Sequence, residues 1–151
     1  MLNLSRKLLF AIEAVVDIAY HGGAAPVQSG KISERQGIPH RYLEQVLQHL
    51  VRAGLLTGQR GPRGGYRLAR ERRRITVGEI VRTVAELEAT PDPTVGEAGS
   101  DIGLKVVRPL WRELQQRVAA ELDALTIEDL CQRAQGAGIR SAAAGKLDFA
   151  I

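Results

Sequence analysis

The stretch that decides the fold is residues 32–69, ISERQGIPHRYLEQVLQHLVRAGLLTGQRGPRGGYRLA. Gly37 supplies a turn, and Pro39 is well placed at the first position of a helix, where its missing N–H is not needed. The stretch therefore predicts two short helices around a tight turn, followed by two short strands.

The second of these helices is predicted to run from Pro39 to about Ala53 and to be amphipathic. Its apolar residues recur at spacings of three and four, which places them on one inward face. They are Leu43, Val46, Leu47, Leu50 and Val51. The polar residues lie on the other side: His40, Arg41, Glu44, Gln45 and Gln48. One face is therefore expected in the core and the other at the surface.

The strands are predicted in LLTGQR (55–60) and GYRLAR (65–70), which alternate in polarity and are joined by GPRG. Arg60, Arg63 and Arg67 lie on or beside this tip, where glycines let the backbone approach a ligand closely. Arginine suits a narrow minor groove. A helix followed directly by a basic hairpin is the layout of a winged helix-turn-helix, whose helix enters the major groove of DNA.

The exposed side of the helix offers groups that can read base edges. Gln45 can pair with adenine, Glu44 can accept from the cytosine amino group, and Arg41 can contact guanine or phosphate. The hydroxyl of Tyr42 can reach phosphate, although polar residues on a surface helix often just face water. The other candidate DNA-contacting residues are His40, Arg60, Arg63, Ser5 and Lys7. Arg70, Arg72, Arg73 and Arg74 are expected to face phosphates or solvent.

Charge is distributed unevenly along the chain. Residues 1–84 carry 14 Lys and Arg against 6 Asp and Glu, whereas residues 85–151 carry 7 against 11. The basic half is expected to follow a polyanion, although charge alone could merely solvate a surface.

The fold class predicted for the whole chain is mainly α with a small β-hairpin. An amphipathic helix over 4–21 ends at Gly22, and Thr76 with Glu79 forms a capping-box pattern that opens a helix over 77–88. Thr126 and Asp129 form a similar pair before the short final helix. We divide the chain into a winged-helix DNA-binding domain (1–88), a flexible loop (89–103), a dimerisation helix with a short final helix (104–135), and a loose tail (136–151). Glu13 and Asp17 interrupt the first apolar run and argue against a signal peptide.

The long helix after residue 103 carries an apolar stripe at steps of three or four, close to a heptad seam. Its members are Val107, Trp111, Leu114, Val118, Leu122 and Leu125. The stripe either packs on its own domain or pairs with a second copy. We favour dimerisation, because the winged module is too small to cover such a helix. A two-fold dimer would place its reading helices about 34 Å apart and require a near-palindromic site.

Two segments, YLEQVLQHLVRAGLL and RGPRGGYRLAR, resemble the Rrf2-type family of bacterial winged-helix transcription regulators. The similarity extends from LSRKLLFAIEAVVDIA to LTIEDL and covers about nine tenths of the chain. It implies a homodimeric repressor or activator in the bacterial cytoplasm, and repression is the output we expect. By this resemblance the residues that contact DNA are Arg41, Tyr42, Glu44, Gln45 and Arg60.

The chain departs from many members of that family in the loop before the long helix. Those members carry three cysteines and often a histidine there, and these ligate an iron–sulfur cluster. Here the loop has neither residue, and a cluster needs thiolate or imidazole ligands. We therefore predict no cofactor and no metal. Cys131, the single cysteine, is more typical of a small buried residue than of a redox sensor.

Two other functions remain as alternatives. A winged helix can serve as a protein-interaction module without specific DNA binding, with the acidic half as the docking surface. An enzyme is not expected, because no nucleophile has a base and an orienting group placed by a recognisable motif.

Overall fold

A computed structural model describes residues 5–88, 91–92 and 94–143 of the chain. It contains six α-helices within these residues: α1 (Arg6–His21), α2 (Ser29–Gln36), α3 (His40–Arg52), α4 (Val77–Glu88), α5 (Arg108–Ala124) and α6 (Ile127–Gly136). Strands β1 (Leu56–Gln59) and β2 (Gly65–Leu68) pair antiparallel, with Leu56 opposite Leu68. The predicted fold class, mainly α with one hairpin, is confirmed.

The hydrophobic core lies between α1, α3, α4 and α6. Its fully buried large side chains include Ile32, Leu43, Leu47, Leu50 and Ile80. The apolar face predicted for α3 is confirmed, with Val51 only partly buried. The helix begins one residue later than predicted, because Pro39 is its N-cap in an extended conformation rather than its first helical residue.

Two capping boxes fix the starts of α4 and α6. The Thr76 N–H donates to Glu79 at 2.9 Å while the Glu79 N–H donates to Thr76 Oγ1 at 3.2 Å. Thr126 and Asp129 repeat the arrangement at 2.9 and 3.1 Å. Each box satisfies two backbone donors that a helix N-terminus leaves open. Both capping patterns identified in the sequence therefore act as predicted.

The hairpin has a third backbone partner before α2. Val27 and Tyr66 exchange backbone hydrogen bonds at 2.9 and 2.8 Å. Gly65, at φ 148°, makes this approach possible, because a Cβ there would lie 2.4 Å from the Val27 carbonyl oxygen. The hairpin of β1, β2 and the turn between them, called the wing from here on, is therefore bonded to the segment that leads into α2.

The predicted loop over 89–103 differs from the structure at its end. The chain is helical from Asp101, and a π-helical turn, Gly103–Val107, leads directly into α5. Residues 89, 90 and 93 of that predicted loop lie outside the described residues. No helix in the described part of the chain is both long and apolar enough to cross a bilayer.

The predicted loose tail also differs over residues 137–143. Tyr20 Oη donates to the Ile139 carbonyl, Ser141 Oγ donates to the Tyr20 carbonyl at 2.6 Å, and the Ala142 N–H donates to His21 Nδ1 at 3.0 Å. This part packs against the end of α1. The remainder of the predicted tail, residues 144–151, lies outside the described residues.

Candidate nucleic-acid interface

The outer face of α3 presents the predicted reading residues to solvent. Arg41, Tyr42, Glu44 and Gln45 are all exposed, while Leu43 between them is buried. His40 Nδ1 lies 3.7 Å from Glu44 Oε1, one helical turn away. The core holds the helix by its apolar face, which leaves these polar groups accessible to a ligand.

The start of α1 lies beside this face, and its two candidate residues differ in availability. Lys7 Nζ lies 5.1 Å from the centre of the Tyr42 ring, a cation–π geometry that places a positive charge next to α3. The Ser5 hydroxyl donates to Glu88 Oε1 at 2.6 Å and accepts from the Leu8 N–H at 3.2 Å. Ser5 is therefore engaged as the N-cap of α1, whereas Lys7 adjoins the candidate interface.

The tip of the wing is shaped by glycines and braced by a side chain from outside the hairpin. A Cβ on Gly64 would lie 2.1 Å from the Gln59 carbonyl oxygen, so the tight return of the chain requires glycine. Gln28 Nε2 donates to the Pro62 carbonyl at 3.1 Å. Arg60 and Arg63 are both exposed on this tip.

A groove of about 780 Å³ separates the second half of α3 from the wing. Its polar lining includes Gln28, Gln48, Arg52, Gln59 and Arg60, with no carboxylate among the described lining residues. Such a surface is compatible with a polyanion. Sequence reasoning missed Gln28, Arg52 and Gln59 as contributors. Arg52 follows Gln45 and Gln48 at helical spacing, which could have indicated it.

Tyr66 forms the floor of this groove, half-buried beside Gly58. Burial raises the pKa of the Tyr66 phenol above its ordinary value, and the negative charge of Glu44 adds to the shift. The phenol therefore stays protonated at neutral pH and can donate a hydrogen bond.

The arginines of the N-terminal half fall into two groups. Arg70 pairs with Glu79 at 2.9 Å, Arg73 with Glu71 at 2.6 Å, and Arg72 with Glu128. All three side chains remain at least 41% exposed, so they face solvent as expected, and each also has a carboxylate partner. The second group forms no ion pair with another described residue: Arg6, Arg41, Arg52, Arg60, Arg63, Arg67 and Arg74. Unneutralised arginine thus concentrates on α3 and the wing.

The described residues before α5 do not provide the ligands that an iron–sulfur cluster needs. The one thiol of the chain, Cys131, is 3% exposed within the core, and burial raises its pKa. The described residues contain no group of three side chains able to hold a metal ion together. This donor set does not fit a cluster in that region, because cluster iron requires several accessible thiolates or imidazoles.

Apolar side chains line one side of α5 and of the turn before it. Val107 is 54% exposed, Trp111 39% and Leu114 36%, while Val118 and Leu122 are half-buried. Ile102, Val106 and Leu110 extend the exposed surface. Exposed apolar surface of this kind is typical of interaction sites.

Together these features define a winged-helix transcription regulator that binds DNA. A family model described as "Iron-dependent Transcriptional regulator" matches residues 4–133, and the chain belongs to this family, Rrf2. Members of the family are transcription regulators rather than enzymes.

Curated relatives and solved structures agree with this assignment. The chain is 38% identical over 131 residues to the HTH-type transcriptional regulator IscR of Xenorhabdus nematophila, covering 85% of this chain and 79% of the relative. IscR of T. potens has a TM-score of 0.74 at 34% identity and covers 93% of both chains. CymR, the global cysteine regulator of B. subtilis, has a TM-score of 0.71 at 30% identity and covers 88% of this chain and 98% of that one.

Proposed function

We propose that the protein is a homodimeric, sequence-specific repressor that binds a near-palindromic operator. The observation that carries the proposal is that arginines with and without carboxylate partners lie on different parts of the molecule. Those on α3 and the wing lack carboxylate partners among the described residues, whereas Arg70, Arg72 and Arg73 are paired away from this face. Free guanidinium groups can release counterions from DNA, which drives binding.

In this proposal α3 lies in the major groove and the wing follows the neighbouring minor groove. Gln45 pairs with adenine, Glu44 accepts from cytosine, and Arg41 binds guanine or phosphate. Arg60 enters the minor groove, with Arg63 and Lys7 on phosphates. Tyr42 and His40 make further contacts to the DNA backbone from the exposed face of α3.

The exposed stripe of α5 is proposed as the dimer interface. Val107, Trp111 and Leu114 provide accessible apolar surface, with Val118 and Leu122 continuing it. Burying these groups against a second copy removes them from water, which stabilises association by about 25 cal/mol per Å² of apolar area. The two reading helices would then lie about one turn of DNA apart.

We propose that the protein acts without an iron–sulfur cluster, because the donor set of its loop does not fit one. The name IscR belongs to relatives of this chain and does not by itself assign a cofactor to it.

Selection from random duplexes with the purified protein tests the proposal. We expect an enriched sequence with two-fold symmetry and half-sites about one helical turn apart. For that sequence log K should fall steeply with log salt, since several phosphates are neutralised. A control duplex with scrambled half-sites should keep a salt dependence but bind more weakly. Binding that ignores salt, or a selection without enrichment, would contradict the proposal.

The regulatory direction is tested separately with a reporter gene placed behind the selected operator. Repression predicts more expression when the protein is absent. Lower expression in its absence would instead identify an activator and leave the DNA-binding proposal intact.

A further inference from the structure

The segment before α5 is folded by side chains of α5 itself. Arg108 donates from Nη1 to the Gly96 carbonyl at 2.8 Å and from Nη2 to the Ala98 carbonyl. Arg112, one turn further along, donates from Nη2 to the Thr94 carbonyl at 2.8 Å. Two arginines therefore satisfy three backbone acceptors of one short segment.

Contacts within the segment reinforce this arrangement. Thr94 is 4% exposed, and both its N–H and its hydroxyl donate to Asp92 Oδ1, at 2.8 and 2.7 Å. Gly99 has φ 143° and lies against the Arg108 guanidinium, which a Cβ there would approach to 3.1 Å. Ser100 caps the following helical turn, accepting from the Gly103 N–H at 3.1 Å.

Charged donors on neutral carbonyls give hydrogen bonds stronger than those between neutral groups. The guanidinium also has a fixed fork geometry, so Arg108 sets the distance between the Gly96 and Ala98 carbonyls. A lysine ammonium could donate to both carbonyls but, as a single donor atom, would not fix the distance between them. These hydrogen bonds thus link the segment to α5.

We infer that Arg108 and Arg112 set the conformation of residues 94–100, so that this segment and operator binding do not respond to iron. The matching family is described as iron-dependent, yet this chain offers arginines in this region where a cluster would need thiolates. The conformation of residues 94–100 is inferred from the contacts of Arg108 and Arg112 alone, whereas the inference about operator binding rests on the proposed function.

Hydrogen–deuterium exchange of the full-length protein tests the segment. In the double variant Arg108→Ala and Arg112→Ala, exchange of the Thr94 and Val95 amides should rise by about tenfold or more, as expected when supporting hydrogen bonds are lost. The matched control is Arg117→Ala on the same helix, whose side chain pairs with Glu113 at 2.7 Å and does not contact the segment. Exchange in α1 and α3 reports whether each variant folds.

A second part of the experiment tests the response of the protein to iron. Wild-type protein is incubated anaerobically with ferrous iron and sulfide, then with a chelator, while the visible spectrum and exchange are followed. We expect no visible charge-transfer band, no change in exchange at residues 94–104, and less than about a twofold change in operator affinity, which corresponds to under about 0.4 kcal/mol.

Two results would overturn the inference. One is a double variant whose segment exchanges like that of the wild type. The other is a stoichiometric visible band accompanied by slower exchange at residues 94–104. Loss of operator binding under all conditions, with the exchange results as expected, would instead count against the proposed function alone.

Discussion

The carboxylate of Asp17 is fully buried and is held by Arg35 in a bidentate pair, with N–O distances of 2.9 and 2.6 Å. Gln36 Nε2 donates to the same carboxylate at 2.7 Å. One acidic group on α1 thereby fixes α2, the helix that leads through Gly37 into α3. The orientation of α3 consequently depends on a buried residue that is not part of the proposed DNA-binding face.

Replacing Asp17 with alanine should destabilise the protein by about 3 kcal/mol, near the low end for a broken buried pair because Arg35 is 28% exposed and can turn to water. Urea unfolding measures this loss. The control is Glu34→Ala, whose partner Lys31 lies 3.7 Å away at the surface, and its effect should stay below about 0.5 kcal/mol. Equal losses of unfolding free energy for the two variants would show that the buried pair contributes no more to stability than the surface pair.

Gln45→Ala should weaken operator binding by about 1–3 kcal/mol and relax the preference at one base position, because a bidentate contact to adenine is lost. Binding to a set of single-base operator variants measures both effects. Gln132→Ala on α6 removes a comparable amide away from the interface and should change neither. If Gln45→Ala weakened all sequences equally, the assignment of α3 to base reading would be wrong.

Arg63→Ala should reduce the slope of log K against log salt by about one phosphate contact, because Arg63 is proposed to bind a phosphate. Arg63 has no carboxylate partner among the described residues, so its full charge is available to DNA. Arg73→Ala is the matched control, since Glu71 already neutralises that side chain at 2.6 Å. Affinities over a range of salt concentrations distinguish them, and a larger change of slope for Arg73 would contradict the division of arginines.

Trp111→Glu should convert the proposed dimer into monomers, because it places a charge in the centre of the proposed apolar interface. Sedimentation velocity reports the oligomeric state, and Gln116→Glu adds the same charge at another exposed position of α5 as a control. A Trp111→Glu protein that remains dimeric would place the interface elsewhere.

His21 should make the packing of residues 139–142 depend on pH. Burial lowers the pKa of His21, Asp17 opposes that shift and Arg35 supports it, so the net pKa lies below its ordinary value. The unfolded chain takes up the proton first, at about pH 6.5. The stabilising contribution of neutral His21 is therefore complete above about pH 6.5 and is lost as the pH falls through the lower folded-state pKa.

The measurement is exchange of the Ala142 amide, which donates to His21 Nδ1, at neutral and mildly acidic pH. After correction for the intrinsic effect of pH on exchange, protection should fall on acidification. His21→Gln retains an acceptor that does not titrate and should abolish this dependence. Protection that is the same at both pH values in the wild type would rule out the histidine as its cause.

Local signals in the sequence were sufficient to predict most of the helices and strands. The spacing of Leu43, Val46 and Leu50 identified the buried face of α3, and the Thr76–Glu79 and Thr126–Asp129 pairs located two helix starts. These signals work because each involves residues within two turns of each other.

Contacts between distant parts of the chain could not be predicted in the same way. Asp17 served in the sequence only as an interruption of an apolar run, whereas in the fold it anchors α2. The Gln28–Pro62 bond and the pairing of Arg72 with Glu128 join residues far apart in the chain. Such contacts follow from packing, and a residue type alone does not reveal its partner.

The pair of backbone hydrogen bonds between Val27 and Tyr66 has a mechanical consequence. These bonds couple the hairpin to the start of α2, and Asp17 binds side chains at the other end of that helix. We therefore expect the parts that are proposed to contact DNA to move as one block. In the proposed dimer, a signal that weakens operator binding would then act most directly by changing the spacing between the blocks of the two protomers, leaving the shape of each block unchanged.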